Sequence, residues 1–408
     1  MGAIVQFNLQ TLTDACRPGG ASVLTATTEL APAAGPHAGV APARYVRGSQ
    51  GTYAFETRFV DLGDGSPRAV ATVVIDSKSS QLNRIEAALS AAITDGEEPV
   101  SKTPRIELTY RGQAPTTCLD LPHRAFDGHI RAGTIDAEPV TDHPSYRAAR
   151  DSTAANARAL LELSPISLVL GAWDSTRKSH QVRFRSSLVG EIIGVLSDQG
   201  LNGTDIAPRG GARSDQIAPS VRVSPEDMET LLSAQESELS TNNLEKIRKE
   251  MGKAKKGGVI SASGLGLGSI PPSLDGLGLV SCQRIIRSHV LSFAALRQVR
   301  FDLGAAGDAS ARALLAALAV NGLARSYAEL ILRANCDLVE TAPPVVKLDG
   351  RYGASTEIDF PSIEEADALL EQAISEASAA GVRWEGQIFE VAGNPIISGG
   401  IVADADEG

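Results

Sequence analysis

Arginines at alternate positions, followed by an arginine loop with glycines, are the residues of this chain best suited to binding phosphate. Arg183 and Arg185 alternate with apolar residues, which is typical of a strand with one buried and one exposed face. Arg209 and Arg213 then enclose two glycines. One arginine guanidinium group can donate hydrogen bonds to two phosphate oxygens, and glycine lets a ligand approach the backbone. The same pattern fits an exposed edge strand whose arginines deter aggregation, so both interpretations stay open.

A second candidate phosphate site lies where a predicted strand gives way to a predicted helix. The β-branched apolar run 69–75 precedes a cluster of Asp and Ser residues, and apolar residues then recur at helical spacing. This order predicts a buried strand, a capped turn and a helix whose first turns favour an anion. An ordinary capped helix without a ligand is the alternative. The candidate contacts there are Lys78, Ser79, Gln81, Asn83 and Arg84.

Glycine recurs at every second position in Gly264, Gly266 and Gly268, so backbone amides there can line a phosphate chain. The segment is not a Walker loop, because no Gly-Lys-Ser/Thr follows it, and two prolines exclude the helix that a dinucleotide fingerprint needs. A flexible linker is the alternative. Arg284 and Arg287 are weaker candidates, because each can form a structural ion pair instead.

Composition excludes several classes of protein. With 408 residues, 43% hydrophobic and 21% charged, we expect a globular chain with two lobes or large insertions. Aromatic residues, at 4%, are too few for serial base stacking. Four widely spaced cysteines and no complete Cys/His set predict a reduced, cytoplasmic protein without a metal site or other cofactor. We expect no signal peptide and no membrane span.

The net charge of −11 is unusual for a nucleic-acid-binding protein. Its distribution is uneven, because residues 177–300 contain 17 Lys and Arg against 12 Asp and Glu. A basic middle segment in an acidic chain is compatible with a phosphate-binding groove, and equally with chance clustering.

Hydrophobic periodicity gives a coarse order of elements. We predict strands at 3–9, 69–75, 105–110, 166–172, 182–195, 280–293, 328–339 and 387–391. Helices are predicted at 77–94, 146–163, 224–249, 309–324 and 362–380. The rest of the first fifty residues is predicted to form loops.

This order fits an α+β fold with an RRM-like (ferredoxin-like) core and large insertions. Five segments follow from it. They are 1–95 (N-terminal strands and the first strand–helix unit), 96–165 (a surface insertion and a helix), 166–223 (central strands and the arginine–glycine loop), 224–279 (a helical insertion and the glycine loop) and 280–408 (C-terminal strands and helices with an acidic tail).

The segment 76–86 reads D-S-K-S-S-Q-L-N-R-I-E. It resembles the signature D-S-x-x-S-Q-x-N-R-L/I-E of the RAMP-superfamily backbone subunit (Cas-seven type) of type I-U, also called type I-G, CRISPR Cascade interference complexes. Three further segments are similar to the same family, at 187–213, 264–272 and 333–338. The resemblance covers most of residues 70–340.

The resemblance implies a CRISPR RNA-binding subunit without catalysis. Copies of such a subunit polymerise along the guide spacer as a homo-oligomer and support base pairing with target DNA in antiviral defence, alongside other Cascade subunits and a recruited helicase-nuclease. In such complexes, base pairing between guide and target recognises the sequence, while the protein binds the nucleic-acid backbone. Family members have a hand-like palm, so 224–258 is expected to form a thumb or finger that contacts the neighbouring copy.

Two other functions remain open at this point. Backbone subunits of type III complexes cut target RNA with an acidic residue, and Asp76 is the corresponding candidate here, although capping of the following helix is the simpler role for it. A nucleotide-binding enzyme that uses the glycines at 264–268 is the other alternative.

Overall fold

The computed structural model describes residues 7–398 except 48–49, 179–181, 199–219, 254–257, 269–277 and 335. Arg209, Arg213 and the acidic tail therefore lie outside the described residues. The chain divides into two compact units. The first unit comprises 1–43, 55–200 and 281–400, and the second comprises 44–54, 201–280 and 401–408.

The strands of the described residues are, in chain order, β1 (Val23–Pro32), β2 (Tyr45–Arg47), β3 (Gln50–Thr52), β4 (Phe55–Val60), β5 (Arg68–Asp76), β6 (Arg105–Thr109), β7 (Thr116–Thr117), β8 (Thr134–Ile135), β9 (Glu138–Pro139), β10 (Ala172–Trp173), β11 (Arg183–Phe184), β12 (Leu188–Leu196), β13 (Arg222–Val223), β14 (Ile260–Ser261), β15 (Cys282–Ser292), β16 (Leu338–Glu340), β17 (Val345–Asp349), β18 (Ser355–Ile358) and β19 (Ile388–Ala392).

The α-helices of the same residues are α1 (Leu9–Cys16), α2 (Lys78–Thr94), α3 (Gly128–Arg131), α4 (Pro144–Arg150), α5 (Arg158–Leu163), α6 (Ile166–Val169), α7 (Pro225–Gln235), α8 (Thr241–Lys253), α9 (Phe293–Leu296), α10 (Gly304–Ala328), α11 (Ile363–Ala379) and α12 (Pro395–Ser398). Among these helices there is none with the length and apolar character needed to cross a membrane.

The main sheet of the first unit has the strand order β18-β17-β1-β15-β12-β5-β4, with β16 also paired to β1. Helix α2 lies in the connection from β1 to β12, and α10 lies in the connection from β15 to β17. Each connection joins two strands separated by one antiparallel neighbour, which is the split β-α-β arrangement of ferredoxin-like folds. The predicted α+β class is confirmed.

One face of this sheet is buried beneath the helices. Alternate residues of β15 are buried, from Ile285 through Arg287 and His289 to Leu291. Helix α10 crosses α2 closely because Gly322 has no side chain, and a Cβ there would press on Ile85 and Leu89 of α2. The opposite face carries ion pairs such as Arg58 with Glu191 at 2.8 Å, so these two charges neutralise each other.

A smaller sheet, in the order β7-β6-β19-β8-β9, adds to the same unit. Its β6 and β19 run parallel, although they are far apart in sequence. Ile106 and Leu108 of β6 are buried in the main hydrophobic core. The sequence had predicted a surface insertion for 96–165. The structure shows instead that this segment contributes to the main core.

The second unit has its own small core. Helices α7 and α8 pack through Met228, Leu232 and Ile247, together with Ala262 and Leu265. Ser224 caps α7, and proline occupies the first helical position, as the sequence predicts. The predicted helix 224–249 is divided in two by residues 236–240.

Most long elements of the first unit confirm the sequence-based predictions. The strands predicted at 69–75, 105–110, 280–293 and 387–391 correspond to β5, β6, β15 and β19, and the helices at 77–94, 309–324 and 362–380 correspond to α2, α10 and α11. The alternation at 182–185 is also confirmed, because Phe184 is buried while Arg183 and Arg185 are exposed.

Five predictions of local structure were wrong. The part of the predicted strand 3–9 that the structure describes leads into helix α1, and the predicted loops that follow contain the ten-residue β1. Two short helices, α4 and α5, replace one helix at 146–163. The apolar run 166–172 is mainly helix α6. It had been predicted as a strand, but the periodicity of a short buried run does not distinguish a helix from a strand. Among the described residues of 328–339, a strand, β16, is formed by the last two only.

A buried polar cluster joins the main sheet to α10. His289 Nδ1 lies 2.9 Å from the Tyr327 hydroxyl, and the Arg287 guanidinium lies over the Tyr327 ring at 3.7 Å from its centroid. Arg287 also donates to Glu340 at 2.9 Å. On β12, a Cβ at Gly190 would overlap the His289 ring. Glycine at 190 is therefore required by the close approach of the histidine.

We predict that Gly190→Ala lowers the free energy of unfolding by about 1–3 kcal/mol, because the added methyl group overpacks the His289 ring. Urea unfolding of the purified chain measures the change. Gly128→Ala is the matched control, since a Cβ there meets nothing closer than 3.9 Å and should change stability by less than about 0.5 kcal/mol. Equal effects of the two substitutions would contradict the packing assigned to Gly190.

Stability should also depend on His289 ionisation. Burial, with a further contribution from Arg287, lowers the pKa of His289 to about 3. The unfolded chain takes up this proton near pH 6.5, so the stabilisation is complete above that pH and is lost as the pH falls toward 3, by at most about 1.4 kcal/mol per pH unit. Urea unfolding between pH 5 and 7 should show a shallower pH dependence for His289→Asn than for the wild type. Identical slopes would show that His289 is not the titrating group.

Candidate nucleic-acid interface

The start of helix α2 divides the predicted contact residues into exposed and buried ones. Ser77 caps the helix by accepting a hydrogen bond from the Ser80 amide at 3.3 Å. Lys78, Ser79 and Asn83 are exposed. These three side chains remain available to a ligand at the helix N-terminus.

Gln81, by contrast, is directed into the protein. It is 4% exposed and donates to the buried Asp76 carboxylate at 2.5 Å. This hydrogen bond joins the end of β5 to the first turn of α2. Arg84 is half-buried. The sequence motif therefore combines residues that shape the turn with residues that face solvent.

A groove of about 610 Å³ runs beside α2. Ser79 and Asn83 line it on the helix side, and Ser186 lines it from the segment that follows β11. Ser186 is held by donating its hydroxyl hydrogen to the Leu170 carbonyl at 2.5 Å. Two regions that the sequence singled out separately therefore lie on one groove.

A buried ion pair fixes this groove. Arg124 lies 2.6 Å from Glu86 of α2 and donates to the Gly171 carbonyl at 2.8 Å. Burial raises the pKa of Glu86, although Arg124 acts in the opposite direction. Gly171 has φ +85°, and a Cβ there would crowd Ser186. Arg124 thus links α2 to Gly171, which lies against Ser186 of the segment that carries Arg183 and Arg185.

That segment presents a cation on an aromatic ring. Arg183 pairs with Trp173 across β10 and β11, and its guanidinium lies 5.1 Å from the Trp173 ring centroid. Trp173 is 49% exposed. A second groove, of about 470 Å³, is lined by Arg183, Arg177 and Ala154 among others. An arginine, an exposed tryptophan ring and a groove are therefore neighbours here, and these groups are chemically suited to a phosphate with an adjoining planar group.

Strand register brings further basic residues to the same end of the main sheet. Leu188 pairs with Leu291, and Val23 pairs with both Ser292 and Asp349. The segments just beyond these strand ends are 183–187, 293–300 and 350–354. The Arg300 amide donates to Ala154 of the second groove at 2.9 Å. We call this the sheet-end surface; its basic residues are Arg183, Arg185, Arg297, Arg300 and Arg351.

Sequence reasoning missed three of these arginines and both aromatic residues near them, Trp173 and Tyr352. Arg297, Arg300 and Arg351 lie in no local motif and come together only through strand pairing. The available signal was weak: an arginine pair three residues apart, and an Arg-Tyr-Gly turn.

Arg284 and Arg287 each form a structural ion pair, which was the alternative to phosphate binding that the sequence left open. Arg284 pairs with Glu29 and also donates to the Asp61 carbonyl. It lies opposite Val195, toward the other end of β12. Arg287 is buried in the cluster with Tyr327. Neither residue is on the sheet-end surface.

The glycines at 264–268 belong to the second unit. Gly264 packs against Ile247 of α8, where a Cβ would crowd the isoleucine, and Gly266 has φ +76° at a helix end. A Cβ at Gly268 would crowd Ser263. All three glycines are exposed, and each has a local structural reason. Helix α8 carries the exposed residues Lys246, Lys249 and Lys253.

Comparison with family models gives a match over the first half of the chain. Residues 24–198 match the family model of CRISPR-associated protein GSU0053 (Cas_GSU0053). This match supports a CRISPR-associated protein with a role in CRISPR defence. The matched range is less than half of the chain, but it contains both grooves and the Glu86–Arg124 pair. A search of curated proteins found no match.

We predict that Glu86→Ala lowers the free energy of unfolding by about 3–5 kcal/mol, because it leaves the largely buried Arg124 without its carboxylate. Chemical denaturation measures the loss. Glu107→Ala is a suitable comparison, because Glu107 also pairs with an arginine, at 2.7 Å, but is more exposed, so its loss should cost less. A Glu86→Ala variant as stable as the wild type would show that the ion pair does not hold the groove.

Proposed function

We propose that this chain is a guide-RNA-binding backbone subunit of a type I CRISPR interference complex. The observation that carries the proposal is the sheet-end surface, where arginines from three separate segments gather beside the two grooves. Guanidinium groups suit phosphate oxygens. A chain of phosphates matches an extended row of such groups better than a single small anion does.

The pairing state of the arginines supports this interpretation. Many arginines elsewhere in the first unit contact a carboxylate, as Arg58, Arg105 and Arg325 do. On the sheet-end surface, none of the five arginines forms an ion pair with a carboxylate of the described residues. Arg297 donates to the Ala15 and Ala21 carbonyls instead. Arginines without a carboxylate partner can add the most to the affinity for a polyanion. When they bind phosphates, condensed counterions are released from the nucleic acid.

In this proposal, the surface contacts mainly the sugar-phosphate backbone of the nucleic acid. Lys78, Ser79 and Asn83 hold phosphates or riboses along the first groove, and the arginines continue the path. Most bases are then left free to pair with a target strand. Further copies of the chain, target DNA and the other subunits of the complex are the partners that the family resemblance implies.

The proposal assigns no catalytic step to the chain. Asp76, the carboxylate considered for metal-dependent RNA cleavage, is fully buried and accepts a hydrogen bond from Gln81. In this position it stabilises the turn into α2 and does not reach a bound strand. No observation on the described residues favours cleavage over binding.

We expect Arg183→Ala combined with Arg185→Ala to weaken the binding of single-stranded RNA for all sequences tested. The slope of log K against log salt concentration should fall by about one unit for each phosphate that the variant no longer binds. Fluorescence anisotropy with labelled RNA, measured over a series of salt concentrations, gives both values.

Arg68→Ala combined with Arg111→Ala is the matched control. It removes the same charge from two exposed arginines that lie outside the sheet-end surface, so RNA affinity should change little. If both double variants weaken binding equally, the effect is one of net charge and the assigned surface is wrong. Co-purification of the chain with a CRISPR array transcript, read as an absorbance ratio and a mass, tests the wider proposal.

A further inference from the structure

The loop between β17 and β18 presents a tyrosine for which the fold itself gives no reason. Asp349 pairs with Ser355 at the end of the hairpin. The loop is closed by hydrogen bonds from the Gly350 amide to the Ala354 carbonyl at 2.7 Å and from the Ala354 amide to the Arg351 carbonyl at 3.1 Å. Tyr352 lies at the tip and is fully exposed, at 103%.

The backbone at Tyr352 is in an unfavourable conformation for this side chain. Its φ is +58°, in the left-handed region that glycine and asparagine adopt readily and bulky residues rarely do. The ring buries no surface in return. A tyrosine that stabilises neither the turn nor the core has a cost without a structural gain, which points to a contact outside the chain.

The position of the loop indicates what that contact is. Asp349 pairs with Val23, which also pairs with Ser292, so the tip lies at the end of the sheet where the exposed arginines gather. Burial lowers the pKa of Arg297, and the charge of Arg351 lowers it further, so the two guanidinium groups lie within electrostatic range of each other. The other loop residues are small or charged and offer no apolar surface for a protein interface core. A flat ring next to unpaired guanidinium groups suits a base with its phosphate.

We propose that Tyr352 stacks on a base of a single-stranded RNA whose adjoining phosphate is bound by Arg351. This inference rests on the proposed function and adds a base contact to a surface otherwise made for phosphates. The hydrogen bonds of the hairpin fix the backbone at Tyr352 before binding, so little backbone freedom is lost when the base stacks.

The test uses the full chain and a labelled single-stranded RNA, with affinity measured over a series of salt concentrations. Tyr352→Ala should weaken binding about tenfold and leave the salt slope unchanged, because it removes stacking and no charge. Tyr352→Phe should bind like the wild type, since stacking needs the ring and not the hydroxyl. Arg351→Ala should reduce the salt slope by about one unit.

A probe with abasic sites in place of its nucleosides separates binding of the bases from binding of the backbone. The wild type should bind this probe about tenfold more weakly than the intact RNA, and Tyr352→Ala should bind it as well as the wild type does. Tyr352→Gly controls for folding. Glycine accepts the left-handed backbone, so its unfolding midpoint should not fall below that of the wild type, while RNA affinity falls as it does for Tyr352→Ala.

The outcomes are distinguishable. If the wild type binds RNA and Tyr352→Ala binds equally well, stacking is wrong while the proposed function stands. If the wild type binds no RNA, both fail. If Tyr352→Ala alters only self-association, measured by light scattering, the tip contacts another copy of the chain and the inference is overturned.

Discussion

The candidate interface depends on one buried ion pair, that between Glu86 and Arg124. Arg124 begins a short 3-10 helix and reaches the side of α2 and the Gly171 carbonyl, so it fixes the distance between α2 and the segment that leads to β11. Removing either charge would leave the other buried and unpaired, which is far more costly than the pair is stabilising. The geometry of the first groove is therefore set in the interior of the protein and not at its surface.

Pairing, and not the number of charged residues, distinguishes the proposed binding surface. The chain is acidic as a whole, yet the arginines at one end of the sheet face solvent without carboxylate partners among the described residues, while Arg58 and Arg284 on the open sheet face are neutralised by Glu191 and Glu29. RRM-type proteins bind RNA on the open face of the sheet. Here that face carries ion pairs such as those of Arg58 and Arg284, while the arginines of the sheet-end surface lie at the strand ends.

The sequence predicted the elements whose signals are local. Ser77 and the β-branched run before it were sufficient to place β5 and α2, because a cap and a change of periodicity lie within a few residues of each other. Strand β1 was missed since its buried positions include Ala26 and Thr28, which carry little hydrophobic signal. Gln81 was expected at the surface because its side chain is polar, but a carboxylate five residues away holds it inside. The convergence of Arg183, Arg300 and Arg351 depends on strand register over most of the chain, which no local pattern encodes.

The position of β1 has a consequence for how the chain is made. In the described residues its pairing partners are β15, β16 and β17, all of which are synthesised long after it. At about 5–20 residues per second, Val23 leaves the ribosome roughly 10–60 s before its partner Ser292 does. During that interval the central strand of the future sheet has two open edges, which are templates for aggregation. Strand β1 can therefore complete its pairing only after the C-terminal third of the chain has been synthesised.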